Sequence, residues 1–330
     1  MTSDDDALVD AVADGDRRAL ARAITLVEST RADHRQRAAA LIEALLPRTG
    51  GAVRIGISGA PGSGKSTLIE AVGQHAIDQG RRVAVLAVDP SSTISGGSVL
   101  GDKTRMSDLG RHPAAFIRPS PTSGSLGGVA RRTREALLLC EAAGFDVVLV
   151  ETVGVGQSEV AVADLVDLFV LVASPTGGDE LQGIKRGIME LADIIVVNKA
   201  DGDLVSAADR TMGDLRNAVH LLRPKRPGWD VSVATCSALT GAGVPELWTE
   251  IVAARGRLDG EPLEQLRARQ GVAWMWSEVT DTLLDRFRDH PGLPDRVAEL
   301  ETSVAEGRTA ATTAAHELLE AFLGPDDARY

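Results

Sequence analysis

The stretch Val53-Arg-Ile-Gly-Ile-Ser58 is strand-like, and Gly59-Ala-Pro-Gly-Ser-Gly-Lys-Ser66 follows it directly. A helix-like segment, residues 67–75, comes next. This is the G-x-x-x-x-G-K-[S/T] pattern in the strand, loop and helix order that the motif requires. Glycines let successive backbone N–H groups turn inward around phosphate oxygens, and the helix N-terminus adds the positive end of its dipole. The stretch therefore predicts a phosphate-binding loop in an α/β fold.

Two side chains of this loop have chemical roles that their types predict. Lys65 is expected to reach the β- and γ-phosphates of a nucleotide, and the hydroxyl of Ser66 is expected to hold Mg²⁺. The predicted nucleotide-binding residues of the loop are Gly59, Ala60, Pro61, Gly62, Ser63, Gly64, Lys65, Ser66 and Thr67. Lys65 is also the first predicted catalytic residue.

Short apolar runs alternate with helix-length amphipathic segments over residues 51–255. The runs are Val53–Ser58, Val83–Val88, Ala115–Ile117, Val147–Val150, Leu168–Val172, Ile194–Val197 and Val231–Ala234. They are apolar throughout rather than alternating, which is typical of parallel strands buried on both faces. The pattern predicts an α/β P-loop NTPase domain with a largely parallel sheet.

Helical segments are predicted on both sides of that domain. Residues 1–50 have helix-period apolar positions that stop at the Pro47–Gly51 punctuation. Residues 256–330 have a stripe at spacings of three and four, which predicts a helix face, and His290–Pro294 then breaks that helix before a further helical stretch over 295–323. The stripe is Val272, Trp276, Val279, Leu283 and Phe287. It fits either packing within one subunit or a dimer face.

A base-recognition motif follows the predicted strand Ile194–Val197. In Asn198-Lys199-Ala200-Asp201, the Asp201 carboxylate can accept hydrogen bonds from N1–H and the 2-amino group of guanine. Adenine has an acceptor at N1 and no 2-amino group, so the motif predicts GTP rather than ATP. Asn198 is expected to brace the neighbouring loops and Lys199 to cover the ring. Backbone N–H groups around Ser237, Ala238 and Leu239 are candidates for guanine O6.

Three acidic residues are candidates for the metal and for hydrolysis. Glu151 ends the strand Val147–Val150, where small GTPases have Asp-x-x-Gly, and a carboxylate there can hold Mg²⁺ directly or through water. Asp89 ends the strand after the phosphate-loop helix, at the nucleotide-facing edge of such sheets. Asp102 lies in a Gly-rich segment suited to ordering on the γ-phosphate, although a solvated loop charge is the alternative there.

The residue that positions water in Ras-like proteins has no counterpart directly after Gly154. We therefore expect slow intrinsic hydrolysis that a partner stimulates. A third Gly-rich loop, residues 174–185, contains Gln182 and Lys185 as candidate catalytic or partner-contacting residues. An ordinary loop entering a helix is the alternative.

Composition excludes several classes of protein. With 47 acidic and 35 basic residues the formal charge is −12, and such a surface disfavours nucleic acid as a partner. Cys140 and Cys236 form no metal-binding or disulfide spacing, so a reducing cytoplasm is expected. The N-terminus lacks the pattern of a signal peptide, and no apolar run approaches the length of a membrane span.

The motifs resemble those of the methylmalonyl-CoA mutase-associated GTPase family, in which the third motif begins with Glu. The resemblance rests on Gly59–Ser66, Asp89–Ser92, Gly101–Met106, Glu151–Glu159 and Asn198–Asp201. Its specific part is Glu151-Thr-Val-Gly-Val-Gly-Gln157.

The resemblance implies a GTPase chaperone of an adenosylcobalamin-dependent mutase that couples hydrolysis to cofactor loading, protection or reactivation. It also implies a homodimer joined by C-terminal helical arms. Asp89, Asp102 and Glu151 would then serve Mg²⁺ and hydrolysis, while the loop around Gln182 and Lys185 would respond to the mutase.

Three alternatives stay open. Nickel-insertion chaperones usually need Cys/His clusters, and this chain has six scattered His residues and no Cys pair. A link to arginine transport would require kinase activity or a membrane partner, for which we find no sequence feature. A helical adaptor that binds nucleotide only as a structural plug would lack the catalytic carboxylate or lysine, and Lys65 and Glu151 are both present.

Overall fold

A computed structural model describes residues 3–29, 31–89, 106–121, 126–152, 158–175, 186–223, 225–226 and 228–324. In this part of the chain, seven strands form one sheet in the order β3-β2-β4-β1-β5-β6-β7. The strands are β1 Val53–Gly59, β2 Val83–Asp89, β3 Ala115–Pro121, β4 Val147–Thr152, β5 Leu168–Ala173, β6 Ile194–Val197 and β7 Ser232–Thr235. The predicted α/β fold with a parallel sheet is confirmed, because every strand pair is parallel.

Helices precede, flank and follow this sheet. The first group is α1 Ser3–Ala13, α2 Arg17–Val27 and α3 Ala32–Leu45. The helices between strands are α4 Lys65–Asp78, α5 Ser107–Arg111, α6 Leu126–Ala142, α7 Ser158–Ala163, α8 Arg186–Met189 and α9 Val205–His220. The last are α10 Val244–Gly256, α11 Glu261–Arg288, α12 Pro294–Ala305 and α13 Ala311–Leu323. None of the described helices is both long and apolar enough to cross a membrane.

The central strand β1 lies between β4 and β5, and all three are almost completely buried. Val, Ile and Leu dominate them, as expected where helices cover both faces of a parallel sheet. Since all strands run the same way, the carboxyl ends of β1, β2, β4, β6 and β7 meet at one edge. The sequence motifs come directly after these ends, so the sheet gathers them from distant parts of the chain.

The chain divides into two compact units, Met1–Gln270 and Gly271–Tyr330. In the second unit, Phe322 packs edge-on against Phe287, with ring centroids 5.4 Å apart, and also contacts His290. The predicted helical stretch 295–323 consists of two helices, because Gly307 adopts a left-handed conformation (φ 71°) after α12. The predicted domain limits at 50 and 255 remain predictions.

The predicted apolar stripe on α11 is largely exposed. Val272, Trp276, Val279 and Leu283 have exposed fractions of 57%, 61%, 40% and 53%. Phe287 is the member that packs within its own unit. Packing within its own unit therefore leaves most of this stripe exposed.

Candidate nucleotide-binding site

The phosphate loop joins the end of β1 to the start of α4. Gly62 and Gly64 have φ angles of 81° and 88°, a left-handed region that side chains rarely adopt. A Cβ on Gly59 would lie 2.2 Å from the Val172 carbonyl oxygen, and one on Gly64 would lie 2.4 Å from Asn198 Nδ2. Ala60 and Pro61 complete the turn. The glycines are therefore required by conformation and by close packing, as in a loop whose backbone turns inward around an anion.

Lys65 is buried at the first position of α4, although it has a charged side chain. Its ammonium group donates to the carbonyl oxygens of Gly59 and Ala60, at 2.8 and 3.0 Å. These two hydrogen bonds keep the ammonium group over the phosphate loop rather than extended into solvent. A phosphate placed inside the loop would meet this charge, with Ser66 and Thr67 following in the first turn of α4.

Ser66 connects the phosphate loop to the end of β4. Its Oγ donates to Glu151 Oε1 at 2.8 Å, and Glu151 is buried. A hydroxyl and a carboxylate are oxygen ligands of the kind that Mg²⁺ prefers. The residues that the structure brings together here therefore fit a magnesium ion.

A hydrogen bond between β1 and β4, next to this contact, was not predicted from the sequence. Thr152 Oγ1 donates to Ser58 Oγ at 2.8 Å, and both residues are buried. Ser58 directly precedes Gly59 of the phosphate loop, and Thr152 directly follows Glu151 within the third motif. That adjacency was the available signal, but only the pairing of β1 with β4 shows that the two hydroxyls meet.

Asn198 ties the base motif to the phosphate loop. Its Nδ2 donates to the carbonyl oxygens of Ser63 and Gly64, at 3.0 and 3.3 Å. Its Oδ1 accepts from the backbone N–H of Ala238 at 3.0 Å and from the Cys236 thiol at 3.7 Å. One buried amide thus joins three loops. The Ala238 N–H, a candidate for guanine O6, is engaged with Asn198 in this structure.

Asp201 lies beside the loop that follows β7. Its Oδ2 accepts from the Ser237 hydroxyl, which also accepts the Thr240 N–H at 3.1 Å. Lys199 has a φ of 62°, so the backbone between Asn198 and Asp201 passes through a left-handed conformation. Leu239, by contrast, is 80% exposed. The motif residues Asn198 and Asp201 therefore both contact the Ser237–Ala238 segment.

Burial disfavours the charged form of the Cys236 thiol, which contacts Asn198. It raises the pKa of Cys236 to about 12, so the thiol stays protonated and can donate to Asn198. The pKa of Cys140 is raised as well, mainly by burial. Both cysteines are free.

Several predicted site residues lie outside the described part of the chain. Asp102, Gln182 and Lys185 belong to undescribed residues, and so does Gly154. Asp89 is the last residue of β2, at the same edge of the sheet as Glu151, but its side chain is not described. Their roles remain predictions.

A family model described as methylmalonyl Co-A mutase-associated GTPase MeaB matches residues 20–292. The chain belongs to the methylmalonyl-CoA mutase-associated GTPase family. The resemblance inferred from the motifs is thereby confirmed. Membership makes the protein a P-loop GTPase, an enzyme that hydrolyses GTP to GDP and phosphate.

Related proteins agree with this family. A putative GTPase of Caulobacter vibrioides is 56% identical over 320 residues, which cover 97% of this chain and 98% of the relative. A mitochondrial methylmalonic aciduria type A homologue of Mus musculus is 47% identical, covering 96% and 79%. A crystal structure described as an LAO/AO transport system kinase is 37% identical with a TM-score of 0.78, covering 98% of this chain and 99% of that one.

Proposed function

We propose that this GTPase is a chaperone of an adenosylcobalamin-dependent methylmalonyl-CoA mutase. GTP hydrolysis would be coupled to loading, protecting or reactivating the mutase cofactor. The family description supports the mutase as partner, and the mouse relative is named for methylmalonic aciduria. The observation that carries the enzymatic part is the contact of Ser66 with Glu151, because it joins the phosphate loop to a carboxylate at the adjacent strand end.

We propose that Ser66, Glu151, Asp89 and Asp102 hold Mg²⁺ or its water shell. The ion would neutralise charge on the β- and γ-phosphates when bound. Lys65 supplies the fixed cation on the same phosphates, held over the loop by two carbonyl oxygens. Gln182 and Lys185 are proposed to act when the mutase binds, which would account for partner-stimulated hydrolysis.

The base is proposed to bind between Lys199 and the Ser237–Leu239 segment, with Asp201 accepting from N1–H and the 2-amino group of guanine. The contact of Asp201 with Ser237 supports this placement because it holds the carboxylate at the loop after β7. GTP and GDP are thus the expected nucleotides.

We also propose that the protein is a homodimer in the cytoplasm. The exposed stripe on α11 supports the dimer, since large apolar side chains in line along a helix usually meet a partner. The two free cysteines are consistent with a reducing compartment. The acidic charge of the chain disfavours nucleic acid as a partner.

The deciding experiment measures phosphate release from GTP and from ATP by the full chain, with and without methylmalonyl-CoA mutase. We expect phosphate release from GTP but not from ATP. We expect this release to be faster when the mutase is present. The Lys65→Ala variant should lose at least about a hundredfold in rate, because one preorganised charged donor is removed from the phosphates. Arg81→Ala, at an exposed position, is the matched control.

Each other outcome contradicts a stated part of the proposal. GTP hydrolysis that the mutase does not alter would leave a GTPase with a different partner. Transfer of the γ-phosphate to a protein or amino acid, rather than to water, would favour a kinase. Nucleotide binding without any phosphate release, with or without mutase, would favour the structural adaptor.

A further inference from the structure

A cavity of about 540 Å³ lies between α2, α5 and β3, the edge strand of the sheet. It contains no residue of the phosphate loop or of the base motif, and its strand is separated from β1 by β2 and β4. Its volume falls within the range of roughly 300–1,000 Å³ that is usual for small-molecule sites. It is therefore large enough to hold a ligand other than the GTPase substrate.

Within the described part of the chain, every charged residue that lines the cavity is an arginine. Arg17 and Arg18 come from α2, and Arg111 comes from α5, more than 90 positions later. The whole chain has a formal charge of −12, so a cavity lined by three cations and no carboxylate differs in charge from the rest of the protein. Such like charges repel one another unless an anion lies between them.

The carboxylates at the start of α2 and α5 accept from groups of their own helix and do not line the cavity. Asp16 caps α2 by accepting the Ala19 N–H at 2.7 Å, and Asp108 accepts from the Ser107 hydroxyl at 3.4 Å. Arg17 is anchored to the His112 carbonyl oxygen at 3.4 Å. The side chains of Arg18 and Arg111 make no hydrogen bond or ion pair among the described residues. Their guanidinium groups are thus available to an anion that enters the cavity.

The remaining lining is mainly apolar. Ala21, Phe116 and Ile117 contribute to it, with the hydroxyl of Ser107 as the uncharged polar group. Guanidinium groups match the geometry of phosphate oxygens and bind them through paired N–H donors. We propose that this cavity binds an organic phosphate monoester, with its phosphate between Arg18 and Arg111 and its apolar part against Phe116 and Ile117.

The location suggests why a ligand there matters to the enzyme. Helix α5 begins at Ser107, two residues after the Gly-rich segment 96–105, which contains Asp102, a candidate for the metal and for hydrolysis. An occupant of the cavity contacts that helix and α2 together. It would therefore tie α5, the first described helix after this segment, to α2.

The test measures binding of phenyl phosphate to the full chain by isothermal titration calorimetry. The Arg18→Gln/Arg111→Gln double variant should lose at least tenfold in affinity. Both side chains are exposed, so the variant should fold normally and retain GTP hydrolysis. Arg210→Gln is the matched control, because Arg210 is exposed on α9, which packs on β6 and β7 at the opposite side of the sheet.

A parallel titration with Lys65→Ala separates this cavity from the phosphate loop. Affinity unchanged in Lys65→Ala and reduced in the double variant would support the proposal. Affinity lost in Lys65→Ala and unchanged in the double variant would place phenyl phosphate in the phosphate loop and overturn it. The proposal would also be overturned if phenyl phosphate did not bind to the wild-type chain. The same holds if hexaglutamate, an anion with carboxylates and no phosphate, bound instead of phenyl phosphate.

Discussion

Single side chains at the carboxyl edge of the sheet determine how the loops of the site are held. Asn198 joins the phosphate loop to the loop after β7, while Ser66 joins α4 to the end of β4. Each bond connects residues more than 35 positions apart. Because these bonds cross between motifs, a change at one motif is expected to affect the others.

Asp201 is the residue at which base selectivity can be changed most simply. Asp201→Asn should reduce GTP hydrolysis about a hundredfold and admit xanthosine triphosphate, whose 2-oxo group needs a donor. Asparagine retains an oxygen that can accept from Ser237, so the loop should keep its structure. Steady-state kinetics with both nucleotides measure the shift. Asp203→Asn, at an exposed neighbouring position, should change nothing, and an unaltered base preference in Asp201→Asn would remove Asp201 from the base site.

Thr152 tests the bond between the strand that precedes the phosphate loop and the strand that ends in Glu151. Thr152→Val keeps the shape of the side chain but removes the hydroxyl that donates to Ser58. We expect the free energy of unfolding to fall by about 1 kcal/mol, measured by urea denaturation. Thr152→Ser retains the hydroxyl and should lose less. If Thr152→Val were as stable as the wild-type chain, the hydrogen bond would contribute nothing and the prediction would be wrong.

At the scale of whole elements, the sequence predicted the strands because their buried residues follow one another without interruption. All seven apolar runs lie within strands or overlap them. The ionic contacts that hold α11 were missed. Arg267 donates to the buried Asp167 and to the carbonyl oxygens of Gly50 and Ala52, partners that lie 100 and more positions away. Charge type and local spacing contain no information about such distant pairings.

The periodicity of α11 identified a helix face correctly but did not identify what covers it. An apolar stripe looks the same in sequence whether the partner is the same chain or a second copy. In the structure this face is largely open, since Trp276 is 61% exposed and Leu283 is 53% exposed. The site was predicted more fully than this face, since its motifs require particular residue types at fixed spacings.

Trp276 is the natural position to test the proposed dimer. Trp276→Glu places a charge in the middle of the exposed stripe, and burying an unpaired carboxylate in an interface is strongly unfavourable. The variant should be a monomer by light scattering at a concentration where the wild-type chain is a dimer. Arg288→Glu, an exposed change on the opposite face of the same helix, should remain dimeric. A monomeric wild-type chain would contradict the dimer outright.

At the scale of the whole molecule, every predicted nucleotide-binding residue lies in the unit Met1–Gln270. A ligand that binds only the folded state stabilises the part that contains its site, by about 2.7 kcal/mol at a concentration of 100 times its Kd. The unit Gly271–Tyr330 contains α12, α13 and most of α11, and its aromatic cluster around Phe322 lies entirely within it. Nucleotide should therefore stabilise the first unit selectively.

Differential scanning calorimetry of the full chain, with and without GDP, tests this expectation. We expect two unfolding transitions, of which GDP raises only the one with the larger enthalpy, since enthalpy scales with the number of residues that unfold. The concentration dependence of the smaller transition reports any association of α11 with a second copy, because dimerisation makes a melting temperature depend on protein concentration. A single transition that shifts as a whole with GDP would mean that the two units unfold cooperatively, and nucleotide binding would then be energetically linked to the helices beyond Gln270.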